Sequence, residues 1–183
     1  MQNTQQQRGP GAGGRGAGGG DRRGPRRPRI EEPKEFDQRI LALDRVTRVT
    51  KGGKRMRFRA TVIIGDHKAR VGYGVAKAGD VSAAVNKAVT QAKKRLFTVP
   101  LVKETIPHRV DAKFGAAVVM MKPAPAGTGV KAGGAMRVVL ELAGVPNVVG
   151  KSLGGSKNKI NNAKATIEAL KSLRVKSAAS SAA

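Results

Sequence analysis

The segment Pro123–Gly134 reads PAPAGTGVKAGG and runs directly into an apolar stretch. A glycine-rich loop feeding a helix offers successive backbone N–H groups and a helix N-terminus to one anion, so the chemistry implied is phosphate binding. The phosphate belongs either to a nucleotide or to a nucleic acid. Other stretches imitate catalytic motifs less well. Gly150-Lys151-Ser152 copies the end of a P-loop, but the nearest upstream glycine, Gly144, is one residue too far away. Gly72-Tyr73-Gly74 starts like a dinucleotide fingerprint, yet Lys77 holds the third glycine position. His67 and His108 have no Ser or carboxylate at a triad or metal spacing, and the chain has no cysteine. Only eight acids follow residue 35, none paired for general acid–base work. A kinase would need carboxylates for Mg²⁺ and a base for the acceptor hydroxyl, and the nearest acid, Glu141, sits two turns into a mostly apolar helix. The expectation is therefore no catalytic residue, no metal, no cofactor and no small-molecule substrate, with a nucleotide at the loop left as the alternative.

Charge separates the two kinds of phosphate. The 183 residues carry 36 Lys+Arg against 12 Asp+Glu, a net +24. Residues 1–35 hold nine of the 24 glycines and four prolines, with eight basic and four acidic residues, a net +4 that leaves +20 on the rest. A stretch like GAGGRGAGGGDRRGPRRPR cannot bury apolar surface and is expected to be a disordered basic extension. The folded body itself is basic, which favours a nucleic-acid partner over a tethered arm on a neutral domain. RNA is the first reading and an architectural role on DNA the rival. The start MQNTQQQRG lacks the pattern of a signal peptide, and the longest apolar run, Ala116–Met121, is too short to span a bilayer. A soluble, cytoplasmic protein with no membrane partner is expected.

The elements that position these residues read as α+β. A strand near Leu43–Thr50 leads through Lys51-Gly52-Gly53-Lys54-Arg55 into a hairpin turning at Gly65-Asp66-His67. Phe58, Ala60, Val62 and Ile64, then Ala69, Val71, Tyr73 and Val75, alternate as one apolar face, with Arg57, Arg59, Lys68 and Arg70 opposite. Asp80 is an N-cap for a helix whose face is Val81, Ala84, Val85, Ala88, Val89, Ala92 and Leu96, covering that apolar side. Gly72 and Gly74 fall on the outer face, where they would admit another backbone. After Pro100 and Pro107 a second domain begins with Phe114–Met121, read as a strand buried on both faces. The loop follows, then a helix Ala135–Ala143 closed by Gly144, a strand Val148–Leu153, and a helix striped by Ile160, Ala163, Ile167 and Leu170.

Taken in order, KGGKRMRFRATVIIGD, ARVGYGVAKAGDV and PAPAGTGVKAGGAMRVVLELAGV resemble the bacterial small-subunit ribosomal protein S-five family, from about Arg45 to Leu173. The resemblance implies a three-stranded antiparallel sheet with a helix, similar to a double-stranded-RNA-binding domain, over residues 36–100. A β-α-β-α two-layer domain would follow over 101–175, with a flexible tail at 176–183. It implies a structural role on 16S rRNA in the small subunit, in assembly and translational accuracy, with proteins S-four and S-eight as neighbours. The chain departs from the family's usual pattern at Ala76, Ser82, Ala126 and Lys159. The expected rRNA-binding residues are Arg48, Lys51, Gly52, Gly53, Lys54, Arg55, Arg57, Arg59, Lys68 and Arg70. Lys122, Gly127, Thr128, Gly129, Lys131 and Gly133 are expected to meet RNA or a neighbouring protein.

Overall fold

The structure is a computed structural model that describes residues 35–175. The expected disordered extension, apart from Glu35, and the expected flexible tail at 176–183 lie outside the described residues. Strands β1 (Asp37–Thr50), β2 (Gly53–Gly65) and β3 (Arg70–Ala78) form an antiparallel meander, helix α1 (Val81–Lys93) follows, and β4 (Phe97–Thr98) pairs with the start of β3. The sheet therefore has four strands in the order β1-β2-β3-β4, one more than expected. β1 also begins well before Leu43, with a register shift between Ile40 and Ala42. As an edge strand it is held by backbone pairing with β2, so its polar start gave no periodic apolar signal.

The two faces of this sheet belong to two different cores. Ala60, Val62 and Ile64 are buried under α1, whose Ala84, Ala88 and Ala92 are fully buried, with Val85, Val89 and Leu96 packed alongside. That much follows the expected periodicity. In β3, however, the residues on this face are Gly72, Gly74 and Ala76, because Ile64 pairs with Gly72, Val62 with Gly74 and Ala60 with Ala76. A Cβ built on Gly74 would stand 2.0 Å from the Ala88 carbonyl oxygen, and one on Gly72 2.6 Å from that of Ala92. The backbone admitted by these glycines is α1 itself, so the expected parity of β3 is reversed. Ile63 and Val71 instead join the core of the second half, with Tyr73 packed against it. Asp80 occupies the N-cap position of α1 without a side-chain hydrogen bond to the first turn's N–H groups, and the hydrogen bond it accepts from the Ser82 hydroxyl holds its carboxyl below the usual range.

The second half contains β5 (Val110–Phe114), β6 (Ala117–Pro123), β7 (Val130–Lys131), α2 (Gly134–Leu142), β8 (Val148–Ser152) and α3 (Lys159–Lys171). Its sheet runs β5-β6-β8-β7, with only β7 and β8 parallel. The expected β-α-β-α pattern thus gains two strands. The run Phe114–Met121 is the end of β5, a turn and most of β6: Gly115 at φ 58° breaks it, and Ala117, Val119 and Met121 are buried while Val118 and Met120 are half-buried. Both helices lie on one side of this sheet, so the strand is not enclosed on both faces. α2 buries Ala135, Met136, Val139, Leu140 and Leu142 and ends at Gly144, whose φ of 70° turns the chain so that the Val145 N–H donates to the Leu140 carbonyl. α3 is capped by the Asn158 side chain, which accepts from the N–H groups of Ile160 and Asn161, and its Ala163, Ile167 and Leu170 are buried.

Candidate nucleic-acid interface

β3 pairs with β2 only from Phe58 onward, so the segment from Val46 to Arg57 extends past it as a two-stranded ribbon. Its five cross-strand pairs, Val46 with Arg57 through Thr50 with Gly53, span about 17 Å at the usual rise of a strand. Lys51 and Gly52 make the turn, Gly53 takes φ 135°, and the Thr50 hydroxyl donates to the Gly53 carbonyl at 3.3 Å. Every residue from Thr47 to Arg57 is exposed. A ribbon of this kind has no core of its own and is marginal in water.

Pairing fixes which side chains share a face. Arg48 lies directly opposite Arg55, and Arg57 follows on the same side two residues along. Like charges placed opposite each other on one face of a ribbon cost folding free energy, and the arrangement makes sense when an external anion lies between them. Val46, Thr47, Arg48, Arg55, Arg57 and Lys77 line a shallow cleft of 290 Å³, with no carboxylate among the described residues of its wall. Arg59, further down the same face, is bound by Asp44 through Nε at 3.2 Å and Nη2 at 2.8 Å. The other face of the ribbon carries exposed Val49 and Met56 beside Lys54.

Lys68 and Arg70 do not join Arg57 and Arg59. They sit at the opposite end of the sheet, and register puts Arg70 on the α1 side, where its guanidinium lies 5.1 Å from the centre of the Phe36 ring. Arg70 Nε donates to Asp66 Oδ2 at 2.6 Å, and Nη2 contacts Glu35 at 3.4 Å. Asp66 has a side chain only 5% exposed and accepts from the N–H groups of Lys68 and Arg70 as well. Burial pushes the Asp66 carboxyl up, but Arg70 and these N–H groups outweigh it and hold it below its ordinary value. The adjacent His67 is tied to α2: its N–H donates to the Leu142 carbonyl, and Nδ1 lies 2.9 Å from the Glu141 carbonyl oxygen.

The glycine-rich loop has the left-handed residues its sequence suggests, Gly127 at φ 85° and Gly129 at φ 71°, and Gly134 at φ 52° opens α2. Two of its N–H groups are already engaged, however. Gly129 donates to Asn147 Oδ1 at 3.1 Å and Thr128 to the Pro125 carbonyl at 3.2 Å. Asn147 is 5% exposed, and its own carbonyl accepts from the Thr105 hydroxyl at 2.7 Å, which in turn accepts from the Ala124 N–H. Sequence reasoning missed this Asn147–Thr105 node, since two isolated polar residues in connections carry no periodic signal. Around Gly127, Gly129 and Gly133 there is open space, which leaves the backbone accessible from outside. Lys122 and Lys131 both pair with Val149 of β8 from its two sides, and exposed Lys151 follows Val149 on the same face. Three lysines therefore gather on the uncovered face of the second sheet.

Among the described residues no group of His, Cys, Asp or Glu could hold a metal ion, and no helix is long and apolar enough to cross a membrane. Gly150-Lys151-Ser152 lies inside β8 rather than at a strand-to-helix turn. One antiparallel sheet, one mixed sheet, an exposed arginine-bearing ribbon and a glycine loop tied to Asn147 make up a basic α+β protein. The family model for Ribosomal protein S5, N-terminal domain, matches residues 36–100, and that for Ribosomal protein S5, C-terminal domain, matches residues 112–181. A protein of Emiliania huxleyi named small ribosomal subunit protein uS5c is 51% identical over 141 residues, which cover 76% of this chain and 88% of that one. Its namesake from Spinacia oleracea is 54% identical over 140 residues, 76% of this chain but 45% of the spinach protein. The chain belongs to the ribosomal protein S5 family, and it is a structural protein of the small ribosomal subunit, not an enzyme.

Proposed function

We propose that the protein is held in the small subunit by 16S rRNA gripped along the ribbon, where Arg48, Lys51, Lys54, Arg55 and Arg57 contact phosphates. Gly52 and Gly53 let the tip approach the RNA closely. One observation carries this reading: Arg48 faces Arg55 across the ribbon, and no described carboxylate lines the cleft beside them. Phosphates supply the missing counter-charge and the missing support for the two strands. Arg59 contributes less, being paired with Asp44. Lys68 reaches a separate part of the RNA, and Arg70 serves the turn through Asp66.

The first half, residues 36–100, acts in this proposal as a module of the double-stranded-RNA-binding kind, with three long strands backed by α1. The second, 101–175, acts as a two-layer domain that presents Gly127, Thr128, Gly129 and Gly133, with Lys122 and Lys131, to proteins S-four and S-eight or to RNA. Through these contacts the protein supports subunit assembly and translational accuracy. A chain without cysteine suits a reducing compartment, and we place it in the cytoplasm. Replacing Lys51, Lys54 and Arg55 together by Ala tests the central point. The slope of log affinity for 16S rRNA against log salt should flatten by roughly 0.9 for each phosphate that is no longer neutralised. An unchanged slope would mean that the ribbon is merely solvated.

A further inference from the structure

We propose that the rRNA path continues off the ribbon, past Lys77 and around the free edge of β3, to Lys87 of α1 and Lys94 at its C-cap. The inference rests on the reading of the ribbon as an rRNA contact and adds a second stretch to it. Lys77 lines the arginine cleft and also a second, larger one of 560 Å³, between the edge of β3 and α1, whose cations are Lys77, Lys87 and Lys94. No carboxylate lines either cleft, and none of Arg48, Arg55, Arg57, Lys77, Lys87 or Lys94 has an ion-pair partner among the described residues. The cations thus form a connected band from one face of the sheet, over its edge, onto a helix.

The helix dipole accounts for a cation at the C-terminal end of α1, which is where Lys94 lies, but not for Lys87 in mid-helix or for Lys77 on a strand. The remaining cations of that end are engaged elsewhere: Lys93 lies 6.0 Å from the Phe36 ring centre and Arg95 5.6 Å from that of Tyr73. Lys87 and Lys94 are two turns apart, about 10 Å along the axis, far enough to serve separate phosphates of one strand.

The edge itself argues for a phosphodiester backbone over an added peptide strand. β4 pairs with β3 only at Arg70 and Val71, leaving the edge beyond Val71 without a strand. There the Val75 N–H donates to Gln91 Oε1 at 2.8 Å, so a donor that an incoming strand would need is closed off by the helix. A polyanion asks for no such donor. It needs the lysine ammonium groups, which are exposed.

The test compares three full-length variants for binding to a 16S rRNA transcript across a salt series: Lys77→Ala/Lys87→Ala/Lys94→Ala, the ribbon triple described above, and a control triple, Lys103→Ala/Lys113→Ala/Lys159→Ala, with the same change in charge. Alanine is the better helix former at 87 and 94, so circular dichroism should show the edge triple folded. Its salt slope should flatten by roughly 2 to 3, the control's much less, and acetylation of Lys77, Lys87 and Lys94 should be blocked in the RNA complex. An unchanged slope in the edge triple with a flattened one in the ribbon triple would overturn this inference alone. Unchanged slopes in both would overturn the ribbon reading too. Equal flattening in edge and control triples, or equal affinity of the intact chain for duplex DNA, would reduce the band to general charge and overturn it.

Discussion

Replacing Gly74 by Ala is the sharpest probe of how α1 is seated. The new Cβ would stand 2.0 Å from the Ala88 carbonyl oxygen and 2.8 Å from the Ala92 nitrogen. Ordinary contact begins near 3.4 Å, so helix or strand must shift by about 1.4 Å. Neither neighbour is a flexible side-chain end that could swing away. The shift would loosen the packing of Ala84, Ala88 and Ala92, all fully buried. Overpacking typically costs about 1–3 kcal/mol, and a clash between two pieces of backbone puts the expected loss at the upper end, about 3 kcal/mol. For a protein of this size that is a fall in Tm of roughly 6–12 °C. Urea unfolding with an unchanged slope would measure it directly. Gly72→Ala, whose nearest atom is 2.6 Å away, should cost less, and Gly79→Ala, with nothing within 4 Å, should be near neutral. If Gly74→Ala cost no more than Gly79→Ala, the reversed parity of β3 and the seating of α1 would both be wrong. Because α1 carries Lys87 and Lys94, the folded fraction should also bind 16S rRNA less tightly.

Two further outcomes test the interior and the far turn. Thr61 is 1% exposed and its hydroxyl has no partner among the described residues, so Thr61→Val should stabilise the fold by about 1 kcal/mol, and a lowered urea midpoint would contradict that. Asp66→Asn should cost about 1–3 kcal/mol at neutral pH, since a largely buried acceptor of three hydrogen bonds loses its charge. The Asp66 carboxyl is held below its ordinary value, so its contribution is complete above about pH 4 and fades as pH falls through the folded value. The gap between variant and parent should therefore close in acid, and a gap independent of pH would refute the assignment.

The α+β class, the hairpin, α1, α2 and α3 are legible in the sequence because each has a clear period or cap. Ala84, Ala88 and Ala92 recur at helical spacing, and Gly144 ends α2 where a left-handed residue is required. Hydropathy misreads β3 for a physical reason: it scores Val71, Tyr73 and Val75 as a face and Gly72 and Gly74 as gaps, yet the gaps are what a close helix demands. β5 alternates Val110, Ala112 and Phe114 with Asp111 and Lys113, but it is only five residues long and its Phe114 merges with the apolar run that follows. At the candidate site, the cluster from Arg48 to Arg57 stands out by charge density. Lys77 and Lys87 do not, since each is alone in sequence and they meet only when β3 and α1 are folded together. Assigning the apolar residues of β2 and β3 to one common face groups Lys68 and Arg70 with Arg57 and Arg59, but the register pairs Ile63 with Tyr73 and Ile64 with Gly72, so Val71 and Tyr73 lie on the side of Arg57 and Arg59 and Arg70 lies on the other.

β2 is a wall shared by two rooms: Val62 and Ile64 furnish one, Ile63 the other. Evolution cannot redecorate one side of such a wall independently of the other, because neighbouring positions in the chain answer to different tenants. An exchange of residues 36–100 between relatives would have to bring Ile63 and Val71 along with whatever in α2 and α3 fits them. The two halves of this protein are thereby bound to a common history, and a hybrid that mixes distant parents should fail at this seam before it fails at the RNA.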